Sequence, residues 1–221
     1  VPVLLTGFNR RFSPFAMRLR EALDGRTNPA MLTYRMNAGF IPLDHWVHGE
    51  EGGGRNIGEA CHIYDLFHYL VGTPVADIQA FPIGRTTGRY ARNDNFSAML
   101  RFQDGSVATL LYTALGSKEL NKERLEAFAE GGAAVLDDYR TLDLHGFAAD
   151  GLKVRGQDKG HRAELEAFAG AVRGEADWPI PLWQQLDVTR ISFQVERLIE
   201  TGGVAAEDAA APAAAPPAED G

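Results

Sequence analysis

A helical stretch that follows three glycines concentrates the side chains suited to proton transfer. The glycines occupy positions 52–54, and the residues from Gly58 to Val71 have the spacing of an amphipathic helix, with His62 and Asp65 on the polar stripe. His62 falls in the first turns, where unpaired N–H groups and the helix dipole disfavour an imidazolium and favour a neutral ring. Glu59 lies three residues earlier, within reach of a side-chain contact along the helix. We therefore predict that His62 is a general base with Glu59 beside it.

The same segment allows other interpretations. On periodicity alone, a half-exposed histidine on the solvated stripe of a helix is the commoner case. A metal site would draw on His45, His48 and Cys61 as well, but the HExxH and CxxC spacings of zinc ligands are missing from the sequence, so we predict no metal. The glycines also lack the GxGxxG pattern of a phosphate-binding loop, and we expect them to bring backbone close to another group.

Two further groups of residues are candidates for ligand contacts. Asn9, Arg10 and Arg11 follow the apolar opening run and are placed to approach a cofactor or a substrate, although surface ion pairs are an equal alternative for the arginines. Trp46 and His48 are candidates for the wall of a sugar-binding site, with simple loop packing as the alternative.

Composition limits the classes of partner. The chain has 221 residues and a formal net charge of -8, which argues against nucleic acid or an anionic membrane as a partner. No run approaches the roughly 18 apolar residues that cross a bilayer. The single cysteine cannot form an internal disulfide, and we expect a cytoplasmic protein.

The rest of the pattern predicts a sheet with helices. The opening run VPVLLTGF is typical of a strand buried on both faces of a parallel sheet, whose neighbours a preceding domain would supply. Strands are also predicted for MLTYRMNA, VADIQAFPI, NFSAMLRF and SVATLLYT, the last two as a hairpin around Asp104 and Gly105. The segment KERLEAFAEGGAAVLDD favours helix by composition but alternates like a strand, and we predict two strands joined at its glycines.

Three more helices are predicted. The first starts at Ser13, and the other two are HRAELEAFAGAVRG and LWQQLDVTRISFQVERLIETGG. In HRAELEAFAGAVRG, Leu165, Phe168 and Val172 form one apolar stripe. Residues 204–221, rich in alanine, proline and acid, are predicted to be disordered.

Four segments together resemble a known family. GFNRRFSP, the pair His45-Trp46, GGGRNIGEACHIYDLFHYL and QDKGHRAELEAF are similar, in order and spacing, to the carboxy-terminal domain of the glucose-fructose oxidoreductase, inositol dehydrogenase and MocA-like (Gfo/Idh/MocA) family. The resemblance implies an α+β fold with a large, open, mixed and mostly antiparallel sheet, helices on one face and an orphan Rossmann-type strand before it. Residues 1–203 would then be a substrate-binding and oligomerisation domain.

The resemblance also implies a reaction. Members of this family oxidise a sugar or cyclitol hydroxyl, with hydride passing to NAD or NADP in an amino-terminal Rossmann domain. They use a lysine from an EKP motif of that domain, together with an aspartate and a histidine four residues apart. His62 matches the histidine, whereas the aspartate position falls on Gly58 and the nearest carboxylate is Glu59. The sequence contains neither EKP nor GxGxxG.

These resemblances complete the expected roles. The catalytic candidates are His62 and Glu59, Arg10 is the candidate for a cofactor contact, and the candidates for substrate contacts are Asn9, Arg11, Trp46, His48 and Asp65. We expect the isolated chain to bind no nucleotide and to be inactive alone, and we expect its partners to be a sugar-like molecule, a Rossmann domain and a second copy bound through the open sheet. A non-catalytic binding or assembly module is the main alternative, and a metal-dependent sugar isomerase or lyase is the other.

Overall fold

The protein is built on one sheet. The computed structural model describes residues 3–84 and 88–203, and within them eight strands lie in the order β2-β3-β4-β1-β5-β6-β7-β8. Only β1 and β4 pair in parallel in this described part, so the sheet is mixed and mostly antiparallel, which confirms the predicted fold class. The strands are β1 (Met31–Asn37), β2 (Val75–Pro82), β3 (Phe96–Phe102), β4 (Val107–Thr113), β5 (Glu123–Ala129), β6 (Gly132–Asp137), β7 (Thr141–His145) and β8 (Leu152–Lys153).

Within the described residues, four α-helices accompany the sheet. They are α1 (Pro14–Leu23), α2 (Cys61–Val71), α3 (His161–Val172) and α4 (Leu182–Thr201). Ser13 caps α1, as predicted, because its hydroxyl accepts a hydrogen bond from the Phe15 N–H, while Pro14 occupies the first helical position, where no N–H is needed. None of the helices in the described ranges is long and apolar enough to cross a bilayer.

The helices cover one face of the sheet. In β3, the side chains of Phe96, Ala98, Leu100 and Phe102 are buried, while the residues between them are exposed. This alternation means that one face packs into the core, which α2 fills with apolar side chains, and that the other face is open to solvent. The sheet therefore presents a bare surface on the side away from the helices.

The ambiguous segment after residue 121 forms β5 and β6. A two-residue turn joins the strands, and both of its residues, Glu130 and Gly131, have positive φ angles, of 50° and 79°. Such a turn matches the right-handed twist of a hairpin. The choice of two strands over one helix is confirmed, because cross-strand pairing outweighs the helix propensity of the individual residues.

Two details of the prediction are wrong. Residues 3–8 belong to no strand, because no described strand lies alongside them. On α3, Leu165 and Val172 are 66% and 60% exposed, while the buried positions are Glu164, Gly170 and Ala171. The helix packs closely through its small residues, so its apolar stripe is not its buried face. The tail that was predicted to be disordered lies outside the described residues.

Candidate functional site

The three glycines allow the loop before α2 to lie against the start of the helix. Gly53 and Gly54 have φ angles of 64° and 78°, which favour glycine. A single π-helical turn, Asn56–Ala60, follows and leads into α2. At Gly58 a Cβ atom would lie 2.6 Å from the carbonyl oxygen of Gly52, so only glycine fits there without a shift of the backbone. The expected close approach of backbone is therefore confirmed.

A cleft of about 470 Å³ opens beside this turn. Its walls come from the first residues of the chain, the loop between β1 and α2, the π-helical turn, the start of β5 and the segment before α3. Five of the predicted site residues border it, and they are Asn9, Arg10, Trp46, Glu59 and His62. The charged or titratable residues that the prediction omitted are Arg55, Lys122, Lys159 and His161.

His62 is a mostly buried, neutral imidazole in this cleft. Its ring meets Phe8 edge to face, with 5.8 Å between the ring centroids. Burial, reinforced by the nearby Arg10 guanidinium, lowers the pKa of His62 to about 4. Neither ring nitrogen makes a hydrogen bond to another described residue, so the lone pair of the neutral ring is free to accept a proton from a ligand. The neutrality expected from the helix start thus has burial as its main cause.

Glu59 is held as a carboxylate by its neighbours. Lys122 Nζ lies 2.6 Å from Oε1, the Tyr112 hydroxyl donates to Oε2, and Arg55 Nε is 3.5 Å from Oε2. Burial alone would raise the pKa of Glu59, but the Lys122 ammonium and these hydrogen bonds together lower it. An ionised carboxylate with three partners is suited to fixing neighbouring groups. It is a poor proton donor at neutral pH.

Arg10 is anchored by a second buried carboxylate. Glu123 accepts from Arg10 Nε at 2.8 Å and Nη2 at 3.2 Å, and from Lys159 Nζ at 2.5 Å, and the Tyr34 hydroxyl also donates to it. Burial alone would raise the pKa of Glu123, but these cations, Arg10 above all, lower it to about 2. Asn9 Nδ2 donates to the Lys159 carbonyl oxygen at 2.8 Å, so the segment that contains Arg10 and the segment that contains Lys159 are also joined directly. Arg10 and Lys159 are therefore fixed at the edge of the cleft.

Three of the predicted substrate contacts lie away from this cleft. Arg11 and Asp65 form a buried ion pair, with Nη2 to Oδ1 at 2.5 Å and Nε to Oδ2 at 3.0 Å. The pair joins the first residues of the chain to α2, so the polar stripe of this helix is buried against a guanidinium and is not solvated. His48 borders a different cavity, where its Nδ1 is 3.9 Å from Asp94 Oδ1. None of these three residues borders the cleft that contains His62.

The sequence contained unequal signals for the residues that were missed. Lys159 and His161 lie in the segment QDKGHRAELEAF that contributes to the family resemblance, but its simplest interpretation was a turn and a helix start. Lys122 precedes β5, and its neighbour Glu59 is 63 positions away in the chain. Nothing in local spacing indicates such a contact. In the described part of the chain, no three His, Cys, Asp or Glu side chains converge as a metal site would require.

An open mixed sheet with helices on one face, and a cleft at the start of a buried helix, define a class of carboxy-terminal domain. The family model described as the GFO/IDH/MocA C-terminal domain matches residues 25–135. The match covers half of the chain, and the chain belongs to this family.

Two curated proteins are similar in sequence. Inositol 2-dehydrogenase of Rhizobium meliloti (strain 1021) is 23% identical over 189 residues, covering 79% of this chain and 56% of that protein. Myo-inositol 2-dehydrogenase of Thermotoga maritima is 26% identical over 145 residues, covering 62% of this chain and 42% of that protein. The chain therefore spans about half the length of the curated relatives it matches.

Solved structures share the fold. UDP-N-acetylglucosamine 3-dehydrogenase GnnA from Acidithiobacillus ferrooxidans matches with a TM-score of 0.72 and 23% identity, over 90% of this chain and 62% of that one. GenD2 from gentamicin A biosynthesis, solved in complex with NAD, matches with a TM-score of 0.69 and 14% identity, over 90% of this chain and 62% of that one. Both likenesses establish the architecture.

Proposed function

We propose that this chain is the substrate-binding half of an NAD(P)-dependent oxidoreductase that acts on a hydroxyl group of a sugar or cyclitol. Membership of the family supports the proposal, as do the names of the curated relatives, which are inositol dehydrogenases. The observation that carries it is His62: a neutral imidazole, free of hydrogen bonds to described residues, in a cleft large enough for a sugar ring.

In the proposed reaction, His62 accepts the proton of the substrate hydroxyl. Its depressed pKa keeps the ring neutral near pH 7, so that a lone pair is available, and at the same time makes it a weaker base than an exposed histidine; its buried position limits competition from water. Trp46, which is 63% exposed and borders the same cleft, offers an aromatic face to a sugar ring. Lys122 and Tyr112 fix Glu59, which stands next to Gly58 and is available to orient a second hydroxyl.

The described residues do not fit a whole dinucleotide. The sequence has no GxGxxG motif, and the glycines that follow β1 lie in the long loop 38–55 before the π-helical turn, not in a tight turn that joins the strand directly to a helix. In this proposal the hydride acceptor is bound by a separate nucleotide-binding domain. Arg10 borders the cleft and remains a candidate for a contact with the cofactor, although Glu123 holds its Nε and Nη2.

The proposal is tested by the full-length gene product, assayed for NAD(P)H formation with a panel of sugars and cyclitols. His62→Ala should lower kcat roughly 100-fold, the size expected for one positioned proton-transfer group, and should leave nucleotide affinity unchanged. His145→Ala is the matched control, because His145 is exposed at the end of β7. Normal turnover by the His62 variant, or no nucleotide reduction with any polyol, would contradict the proposal.

A non-catalytic binding module is the second candidate, and Gly58 favours it. The backbone contact with Gly52 leaves no room for the aspartate that the family places at this position. A module of this kind would bind a sugar in the cleft yet reduce no nucleotide in the full-length protein. Measured sugar binding by a full-length protein that is inactive with the whole panel would favour this candidate over the oxidoreductase.

A further inference from the structure

The first observation concerns the carboxylate of Glu59, which is shared by two cations. Lys122 Nζ lies 2.6 Å from Oε1, and Arg55 Nε lies 3.5 Å from Oε2. Arg55 is 2% exposed, and its other described partners, the Tyr112 hydroxyl and the Gly39 carbonyl oxygen, carry no charge. One negative charge therefore faces two positive charges, and Arg55 Nη1 has no hydrogen-bond partner among the described residues.

The second observation repeats the first with different residues. Glu123 binds both Arg10 and Lys159, at 2.8 Å and 2.5 Å. The side chain of Arg10 is 7% exposed, and its Nη1 also has no hydrogen-bond partner in the described part of the chain. Again one carboxylate faces two cations, and a guanidinium donor is left over beside the cleft.

The cleft is therefore electropositive in an acidic protein. The four cations border it, both carboxylates have lowered pKa values and are ionised at neutral pH, and the chain as a whole has a formal charge of -8. The nearby acidic residues Asp44, Glu50 and Glu51 are exposed, where solvent screens them. Buried positive charge without a matching anion is costly, and a concave site concentrates its field.

We propose that the ligand of this cleft is an anionic sugar derivative, whose carboxylate or phosphate group meets the free guanidinium donors of Arg10 or Arg55. This inference rests on the proposed function and narrows its substrate class from neutral sugars and cyclitols to sugar acids or sugar phosphates. Charge-assisted hydrogen bonds from a planar guanidinium suit both anions. The start of α3 adds to the attraction, because its first residue, His161, borders the cleft where the free N–H groups of this helix begin.

The cofactor is the other possible source of negative charge, since a dinucleotide carries a pyrophosphate. The test therefore compares the two sources on this chain. Protein-observed NMR titrations would use D-glucuronate, D-glucose 6-phosphate, neutral D-glucose and NAD as probes. We expect the dissociation constant of each anionic hexose to be at least about tenfold below that of D-glucose, with the difference shrinking as salt is added.

A charge-removing variant sharpens the test. Lys122→Met should weaken binding of both anionic hexoses about tenfold more than it weakens binding of D-glucose, since it removes one of the two excess charges, whereas its effect through Glu59 is common to all three sugars. Lys153→Met is the matched control, because Lys153 is exposed on β8 and does not border the cleft. Both variants alter side chains that are at least partly exposed, so both should fold.

Three results would overturn the inference: equal affinity for D-glucose and the anionic hexoses, binding of NAD without binding of the hexoses, or no binding of any probe. The absence of binding by any probe contradicts the inference because all four cations of the cleft belong to this chain. Failure of nucleotide reduction by the full-length protein would refute the proposed oxidation without altering the measured preference for anions. Loss of that preference would leave the oxidation standing.

Discussion

His62 owes its neutral state to its surroundings. The ring lies against Phe8, mostly out of water, and the nearest cations are held in place by carboxylates that only partly neutralise them. Burial and Arg10 both disfavour a second proton on the imidazole, whereas Glu59 and Glu123 favour it too weakly to compensate. A histidine in this setting remains a proton acceptor down to mildly acidic pH.

The depressed pKa of His62 predicts a pH dependence of stability. The value is about 4 in the folded protein and 6.5 ordinarily, so between these values the unfolded chain binds a proton that the folded chain does not. The contribution of the unprotonated His62 to the unfolding free energy is therefore fully present above pH 6.5 and is lost as the pH falls towards 4. Between pH 7 and pH 5, the wild type should lose about 2 kcal/mol more of its unfolding free energy than His62→Gln loses.

Urea denaturation of both proteins at the two pH values measures this difference. The comparison removes the contribution of carboxylates, which titrate alike in the two proteins. His145→Gln serves as the control, because His145 is exposed and its removal should leave the wild-type pH dependence intact. If His62→Gln shows the same loss as the wild type, the imidazole is not desolvated in the folded state.

The position of the His62 side chain depends on contacts between segments that are distant in sequence. The loop that contains Gly52 lies against the π-helical turn at Gly58, and the Arg11–Asp65 ion pair fixes the first residues of the chain to α2. The ion pair is buried and the loop contact is close, so each constrains the direction from which the cleft is approached. The start of α2 is therefore held on two sides.

The contact between Gly58 and the loop at Gly52 can be tested by adding one methyl group at Gly58. Gly58→Ala would place Cβ at 2.6 Å from the Gly52 carbonyl oxygen, and the backbone must shift to relieve the overlap. We expect a loss of about 1–3 kcal/mol in unfolding free energy, the usual cost of overpacking. Gly156→Ala is the control, because no atom lies within 4 Å of the added methyl group, and it should change stability by less than about 0.5 kcal/mol. A Gly58→Ala protein more stable than the wild type would mean that helix propensity outweighs this contact.

The elements differ in how far sequence could predict them. Strand alternation in β3 and the Ser13 cap depend on neighbours within a few residues, so local patterns located them. The Arg11–Asp65 pair joins positions 54 apart, and no periodicity shows which charged residue meets which. For the same reason, periodicity could not show that Asp65, on the polar stripe of α2, is buried against Arg11. Family resemblance located His62 but could not reveal that Lys122 reaches Glu59.

At the scale of the whole molecule, no element of the described ranges covers the sheet face away from the helices. A row of apolar side chains crosses it, because Ala133, Phe128, Met31 and Val107 are register partners on adjacent strands. Met31 is 62% exposed and Phe128 is 46% exposed. The seven longer strands form a face of roughly 30 Å by 22 Å. The area of this face approaches the area that each partner buries in a standard protein interface. A second copy of the chain presents the same apolar row and is the simplest partner.

We therefore expect the protein to be at least a homodimer through this open face. The double variant Met31→Glu/Phe128→Glu should be monomeric, because it places two charges per chain, four in all, inside an interface that would otherwise bury apolar surface. Sedimentation velocity or light scattering at matched concentrations would measure the halved mass. Leu165→Glu is the matched control, since Leu165 is 66% exposed on α3, on the helix side of the sheet, and its replacement should leave the dimer intact. A wild-type protein that stays monomeric at high concentration would contradict self-association and leave the open face to a different partner. A dimer that persists in the double variant but is lost in Leu165→Glu would place the interface at α3 instead.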